Sequence, residues 1–179
     1  MKKNMFLLVA VVLMLAECSS SDNDENNNPF NPVFSNMLQI SNDENADTGI
    51  FAVTNNKFYI NKMPVLDNNC PGFIFHCDIK ESPDLRVLII RITGVKQDID
   101  AFQVGETFQL NKFNASLMPI EECATTPAQF EATKGNIKLV DKKKADDKDV
   151  LTFQINNLAF EEGYTINGAV DFEYEGTVY

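Results

Sequence analysis

An all-β, antiparallel fold is predicted for most of this 179-residue chain, on three observations. Apolar and polar residues alternate from Thr165 to Val178, which is the period of a half-buried strand. A second alternating segment, 73–79, is followed by the turn signal Ser82-Pro83-Asp84 and a strongly apolar segment, 85–93. After residue 48, only 98–102 has the pattern of a helical turn.

The segments 73–79 and 85–93 are expected to pair as a hairpin across their turn signal. Alternation puts His76 and Asp78 on the polar face of the first strand, opposite an apolar face made by Phe73, Phe75, Cys77 and Ile79. Segment 85–93 is apolar on both faces in its middle. It is therefore predicted to be a central strand that is covered on each side.

A second hairpin is predicted from 136–140 and 150–155, joined by the solvated loop 141–149. Four shorter strand candidates complete the set of about eight to ten strands: 51–55, 57–61, 107–111 and 129–133. So many short strands are accommodated by a sandwich or by a closed barrel. The two-faced strand 85–93 favours an antiparallel two-sheet β-sandwich, and a closed lipocalin-like β-barrel is the alternative.

The N-terminus is predicted to be a secretory signal. Lys2 and Lys3 precede an unbroken apolar run of 11 residues, Phe6–Ala16. A membrane-spanning helix needs about 20 apolar residues, so this run is too short to span. Two processing routes are open: ordinary cleavage after a small residue, or lipid attachment at Cys18.

The stretch Leu15-Ala16-Glu17-Cys18 resembles the lipobox of bacterial lipoproteins, except that the family has a small residue where this chain has Glu17. The following Ser/Asp-rich residues, 19–25, resemble the start of Bacteroidota lipoproteins. These resemblances imply that Cys18 is lipidated. They imply an outer-membrane lipoprotein facing the cell exterior, with the periplasmic face as the alternative.

A resemblance also covers the C-terminal pattern GNIKLV…VLTFQINNLAF…YTINGAVDFEY. It is similar to the C-terminal part of uncharacterised β-rich domains in Bacteroidota lipoproteins, and it implies no activity. The predicted organisation is a signal peptide (1–17), a lipidated, disordered tether rich in Asn, Asp and Ser (18–47) and one β domain (48–179). An apolar patch within the tether, 34–40, is either an edge strand or a short helix.

The charge balance excludes one class of partner. The chain has 15 Lys+Arg against 26 Asp+Glu, and removal of Lys2, Lys3 and Glu17 leaves 13 against 25, a net charge of −12. A nucleic-acid partner is not expected for so acidic a protein. The expected partners are the membrane, through the N-terminal lipid, and a glycan or envelope protein.

The cysteines other than Cys18 divide between a strand and loops. Cys77 is expected to be a buried free thiol, because it lies on the apolar face of 73–79. Cys70 and Cys123 lie in predicted loops, and an exported protein meets an oxidising compartment. We therefore favour a Cys70–Cys123 disulfide, with Cys70–Cys77 as the competing pair; the former closes a loop of about 50 residues, worth about 4 kcal/mol.

The usual catalytic equipment is missing from the sequence. No nucleophile elbow, phosphate-binding loop, zinc-protease helix or Rossmann fingerprint occurs. The single histidine, His76, lies beside Asp78 and is read as a surface residue. No metal or other cofactor is expected. The expected function is a non-catalytic binding or structural module; the alternatives are a carboxylate-dependent glycan-active enzyme, or a lipid or small-molecule carrier if the fold is a hollow barrel.

Overall fold

The computed structural model describes residues 35–42, 49–62, 71–95, 97–119 and 129–179. The predicted signal peptide, Cys18, Cys70 and Cys123 lie outside these residues. The strands of the described part are β1 (Met37–Asn42), β2 (Gly49–Asn61), β3 (Gly72–Ile79), β4 (Leu85–Thr93), β5 (Thr107–Gln109), β6 (Phe113–Pro119), β7 (Phe130–Ala145), β8 (Lys148–Phe160) and β9 (Tyr164–Val178).

Eight of these strands form a closed antiparallel barrel. Each pairs with the next along the chain in the order β1-β2-β3-β4-β6-β7-β8-β9, and β1 closes the circle by pairing with β9. The short β5 pairs with β7. The all-β class is thus confirmed, and the barrel that was the alternative is the arrangement found. The two-sheet sandwich that we favoured is not formed.

The interior of the barrel is filled by aromatic rings. Phe75 packs with ring centroids 4.9 Å from Phe153, 5.2 Å from Phe172 and 5.4 Å from Phe58. Phe102, which follows the 3₁₀ turn Ile99–Ala101, packs 4.5 Å from the ring of Phe73. An eight-stranded barrel is just wide enough for its own side chains, and here they occupy it.

The faces of β3 follow the predicted alternation, whereas β4 differs from its prediction. Phe75 and Cys77 are inside the barrel, and His76 and Asp78 face outward. β3 pairs with β4 as expected, Phe75 opposite Ile90. The outward residues of β4, such as Ile89, are only half-buried, so the prediction of cover on both sides is wrong. A single-walled barrel has one interior, and only the inward row of an apolar strand is enclosed.

The hairpin of β7 and β8 confirms the second predicted pairing but replaces the predicted loop 141–149. β7 continues to Ala145 and β8 starts at Lys148, so that the turn is only two residues long. Asp146 (φ +48°) and Asp147 (φ +65°) both adopt the left-handed conformation that a tight primed turn needs. The charged residues that suggested a loop instead form the largely exposed ends of two paired strands.

The barrel starts earlier in the sequence than predicted. β1 lies inside the segment expected to be tether, yet it pairs on both sides, with β2 and with β9. Leu38 and Ile40 are fully buried in the core, because strand alternation sends both inward. The domain boundary at residue 48 is therefore too late. The part of the apolar patch 34–40 that begins at Met37 forms a wall strand rather than an edge strand or a helix.

Candidate functional site

The pairing of strands in the barrel wall changes where β1 begins. β1 separates β2 from β9 along its six residues. Past the N-terminal end of β1, β2 and β9 pair directly with each other in parallel, starting at Lys57 opposite Glu173. The two strands must diverge at this point to admit β1, and this opens a depression on the outside of the wall.

Asn36 holds the apex of this wedge. Its backbone N–H donates to the Ala169 carbonyl (2.8 Å), and its carbonyl accepts from Val53 N–H (3.0 Å). Its side-chain Oδ1 accepts from Asn56 Nδ2 and from the backbone N–H of Asp171, both at 2.9 Å. Asn36 has a φ of +65°, a conformation that asparagine adopts more readily than most residues. One side chain thereby ties together β1, β2 and β9.

A bulge in β2 forms the floor beside Asn36. The register of β2 against β3 shifts between Thr54 and Lys57, so that Asn55 and Asn56 together lie opposite a single residue of β3. Asn55 also has a positive φ of +54°. Bulges re-aim side chains and are common next to functional sites. Here the bulge directs the Asn56 amide toward Asn36.

The Asn56 amide has a buried oxygen, Oδ1, that accepts no hydrogen bond. Its orientation is fixed by its neighbours, because the backbone N–H of Asp171 can only donate and so requires an oxygen from Asn36. That oxygen in turn requires the NH₂ group of Asn56, which leaves Asn56 Oδ1 on the far side. An unsatisfied buried acceptor costs about 1–3 kcal/mol. Such departures from local rules are concentrated at functional sites.

The depression is an open pocket with a volume of about 450 Å³, within the range of ligand sites. Seven of its nine lining residues have polar or charged side chains, and the lining comes from four neighbouring strands and from Asn36. The lining residues are Asn36, Asn55, Asn56, Lys57, Lys143, Ala145, Val150, Asp171 and Glu173.

Four charged side chains form a network at one side of the pocket. Lys57 Nζ lies 3.0 Å from both Glu173 Oε1 and Glu175 Oε2. Lys148 also pairs with Glu173 and lies 3.7 Å from Glu175. Hydrogen bonds from Lys148 and Lys57 lower the pKa of Glu173, and the hydrogen bond from Lys57 lowers the pKa of Glu175. The hydrogen bond to Glu173 raises the pKa of both lysines.

The network predicts a pH dependence of the stability. The lowered pKa values of Glu173 and Glu175 mean that these groups add to the free energy of unfolding above the ordinary glutamate pKa of about 4.3. This stabilisation is lost as the pH falls through the pKa values of the folded protein. The raised pKa values of Lys57 and Lys148 mean that these groups stabilise the fold below the ordinary lysine pKa of about 10.4. This stabilisation is lost as the pH rises through the pKa values of the folded protein. We expect Lys57→Met to lower the urea midpoint modestly at pH 7.

The measurement is urea unfolding of both proteins between pH 3 and pH 8. The difference between the midpoints should shrink toward pH 3, because protonated Glu173 and Glu175 no longer attract Lys57. It should also shrink in high salt, since exposed pairs are screened. A difference that is constant with pH would show that Lys57 acts through packing of its aliphatic stem.

The predicted histidine pair is next to the pocket, on the outer face of β3. His76 Nε2 lies 3.5 Å from Asp78 Oδ1, and Asn55 Nδ2 donates to Asp78 Oδ2 at 3.2 Å. Asp78 is thus shared between His76 and the bulge. This arrangement fixes the Asn55 side chain, and the surface reading of His76 agrees with its outward position. Among the described residues, no group of three or more His, Cys, Asp or Glu side chains could hold a metal ion.

Cys77 lies inside the barrel, completely buried, with a free thiol. Burial raises the pKa of this thiol above its ordinary value, which keeps it protonated and unreactive. We expect no labelling of Cys77 in the native protein. In denaturant without reductant, the mature chain should be labelled once, at Cys77, if Cys70 and Cys123 form the predicted disulfide and Cys18 carries lipid.

Peptide mass spectrometry of the labelled chain checks this prediction. Labelling of Cys70 and Cys123 as well would show that the disulfide is absent. Rapid labelling of Cys77 under native conditions would contradict the buried position.

Two tyrosines of β9, Tyr164 and Tyr174, do not line the pocket. Tyr164 is buried and stacks on Phe130 with 5.8 Å between ring centroids. Tyr174 packs against Phe58 at 5.2 Å, and its hydroxyl hydrogen-bonds to Thr177. The pocket therefore presents amides and charges rather than an aromatic platform.

Comparison with protein-family models, curated proteins and solved structures finds no match to this chain. Within the part that the structure describes, no helix has the length and apolar character needed to cross a membrane.

Proposed function

We propose that this protein is a lipid-anchored, non-catalytic surface module that binds a polar partner of the cell envelope in the pocket at the wedge of β1, β2 and β9. The observation that carries the proposal is the pocket itself. It is concave, polar and built around an asparagine hub, and the unsatisfied Asn56 oxygen lies beside it. The expected lipid at Cys18 supplies the anchor.

The position of the anchor supports this use of the pocket. Asn36, which lines the pocket, is 18 residues after Cys18, so an extended chain reaches at most about 60 Å. A lipid at Cys18 therefore keeps the pocket close to the membrane surface. Partners that are carried by the same envelope are then present at a high local concentration.

The enzyme alternative has one feature in its favour and one against it. Asp171 and Glu173 both line the pocket, as a pair of catalytic carboxylates would. A glycosidase needs one carboxylic acid whose raised pKa keeps it protonated. The pKa of Glu173 is instead lowered by Lys148 and Lys57. Binding is thus better supported than hydrolysis.

The carrier alternative requires a hollow barrel. The described interior is occupied by packed rings, such as Phe75 against Phe153 and Phe172. A lipid or other small molecule would have to displace these rings. The outer pocket is therefore the better-supported site.

Two measurements test the proposal. A membrane-impermeant amine reagent should label exposed lysines of the protein on intact cells; labelling only after lysis would place the domain on the periplasmic side. Binding is tested by backbone amide shifts of the mature protein with neutral sugars, inorganic phosphate and phosphoethanolamine as probes. Shifts confined to the pocket with any probe support the binding role, and no response to all three would contradict it.

A further inference from the structure

Two charged side chains at the pocket, those of Lys143 and Asp171, are not joined by a hydrogen bond. Lys143 Nζ lies 4.0 Å from Asp171 Oδ2 and 3.7 Å from Asp141 Oδ2, and both distances exceed a hydrogen bond. Lys57 and its glutamates, by contrast, are in direct contact at 3.0 Å. Among the described contacts, Lys143 and Asp171 therefore have hydrogen-bonding capacity that faces the pocket.

Asp171 is held so that this capacity is fixed in space. Its Oδ1 accepts a 2.6 Å hydrogen bond from Thr152 Oγ1 on β8. Its backbone N–H donates to Asn36 Oδ1. With one carboxylate oxygen and the backbone committed, Oδ2 is the oxygen that faces Lys143. The carboxylate is thus preorganised before any ligand arrives.

The 4.0 Å gap selects the chemistry of the group that can fill it. Two hydrogen bonds of about 2.8 Å that meet at about 90° span this distance. The bridging group must accept from the Lys143 ammonium and donate to the Asp171 carboxylate. A hydroxyl does both, as does a water molecule that such a hydroxyl would replace, whereas an ionised phosphate oxygen only accepts and an ammonium only donates.

The lining as a whole carries no net charge. Lys57 and Lys143 contribute two positive charges, and Asp171 and Glu173 contribute two negative ones. A ligand with a net charge would be attracted by the two residues of opposite charge and repelled by the two residues of like charge. The asparagine amides can donate to and accept from hydroxyls. The pocket is consequently matched to a neutral, polyhydroxylated ligand.

We infer that the pocket binds a neutral saccharide, one hydroxyl of which bridges Lys143 Nζ and Asp171 Oδ2. This inference rests on the proposed function and specifies its ligand class. No aromatic ring lines the pocket to stack on a sugar face, so the affinity for a single sugar is expected to be weak, with a Kd of about 1 mM. Several copies on a membrane would bind a polysaccharide more tightly through avidity.

The test uses the mature, lipidated protein in a polyoxyethylene detergent, which carries neither sugar nor charge. The probes are galactose, mannose, N-acetylglucosamine and their disaccharides, with inorganic phosphate and phosphoethanolamine as competing classes. At least one sugar should shift the amide resonances of Asn36 and Asp171. Lys143→Met and Asp171→Asn should each weaken the binding of that sugar about tenfold or more, because the first removes the donor of the bridge and the second removes the charge of its acceptor.

Lys144→Met is the matched control. It removes the same charge from the next residue of β7, which does not line the pocket, and it should leave the affinity unchanged. If Lys143→Met has no more effect than this control, the bridge is wrong. Pocket shifts with phosphate or phosphoethanolamine alone would overturn the saccharide and keep the binding role; no shift with any probe would overturn both.

Discussion

Phe75→Ala is expected to lower the free energy of unfolding by about 3–5 kcal/mol, the range for removal of a buried phenylalanine ring. Phe75 is 1 % exposed. Five other rings have centroids within 6.4 Å of its own: Phe58, Phe73, Phe102, Phe153 and Phe172. Its removal leaves a cavity that rings held by separate strands cannot close. Domains of this size are stable by only about 5–15 kcal/mol, so the variant should be close to unfolding at 37 °C.

Urea unfolding followed by far-UV circular dichroism measures this effect. Ile74→Ala is the control, because Ile74 is adjacent in β3 but faces outward and is only half-buried. It should cost much less, and Phe75→Leu should fall between the two because it keeps part of the volume. A larger loss at Ile74 than at Phe75 would mean that the faces of β3 are exchanged, which is a register shift of one residue.

Because apolar and polar residues alternate within single strands, the inward and outward faces of those strands could be predicted from the sequence. The inward position of Cys77 and the outward position of His76 follow directly from the period of two in 73–79. The pairing of β3 with β4 could also be predicted, since a short turn joins them. These features depend on residues that are close in the sequence.

Closure of the barrel depends on residues that are far apart. β1 pairs with β9, so that Met37 lies opposite Ala169. Neither segment carries a local signal for this partner, and a short apolar patch among polar residues resembles part of a tether. The sandwich was favoured for the same reason: an apolar strand such as 85–93 has the same sequence whether a second sheet or only solvent lies outside it.

The pocket was missed because its parts are separated in the sequence. Asn36 is more than 130 residues from Asp171, yet a hydrogen bond joins them. The strand candidates 51–55 and 57–61 leave only Asn56 between them, although adjacent asparagines such as Asn55 and Asn56 are also compatible with a bulge within one continuous strand. Asp146-Asp147 gave a comparable signal for the tight turn, which the surrounding lysines obscured.

The second large effect is expected at Cys18. Cys18→Ala should remove the lipid and shift the protein from the membrane fraction to the soluble fraction. Acyl chains bind membranes through burial of CH₂ groups, at about 0.8 kcal/mol each, so that two or three chains hold a protein almost permanently. Cys77→Ser offers no useful comparison, because it would place a hydroxyl in the core. Ser19→Ala, one residue away, is the matched control and should remain at the membrane.

The N-terminal peptide gives a second readout that does not depend on fractionation. In the wild type it should begin at Cys18 and carry the mass of the acyl chains, whereas in Cys18→Ala it should carry no acyl mass, and any precursor that keeps residues 1–17 is recognised by its mass. The 11-residue apolar run, Phe6–Ala16, is too short to span a bilayer but could still hold such a precursor at the surface. The mass separates that case from true anchoring. Glu17→Gly should increase the processed fraction, because a small residue suits the peptidase pocket better than a carboxylate does. An unmodified Cys18 in the wild type would refute the lipid anchor, while the pocket at Asn36 would remain to be tested by its own ligands.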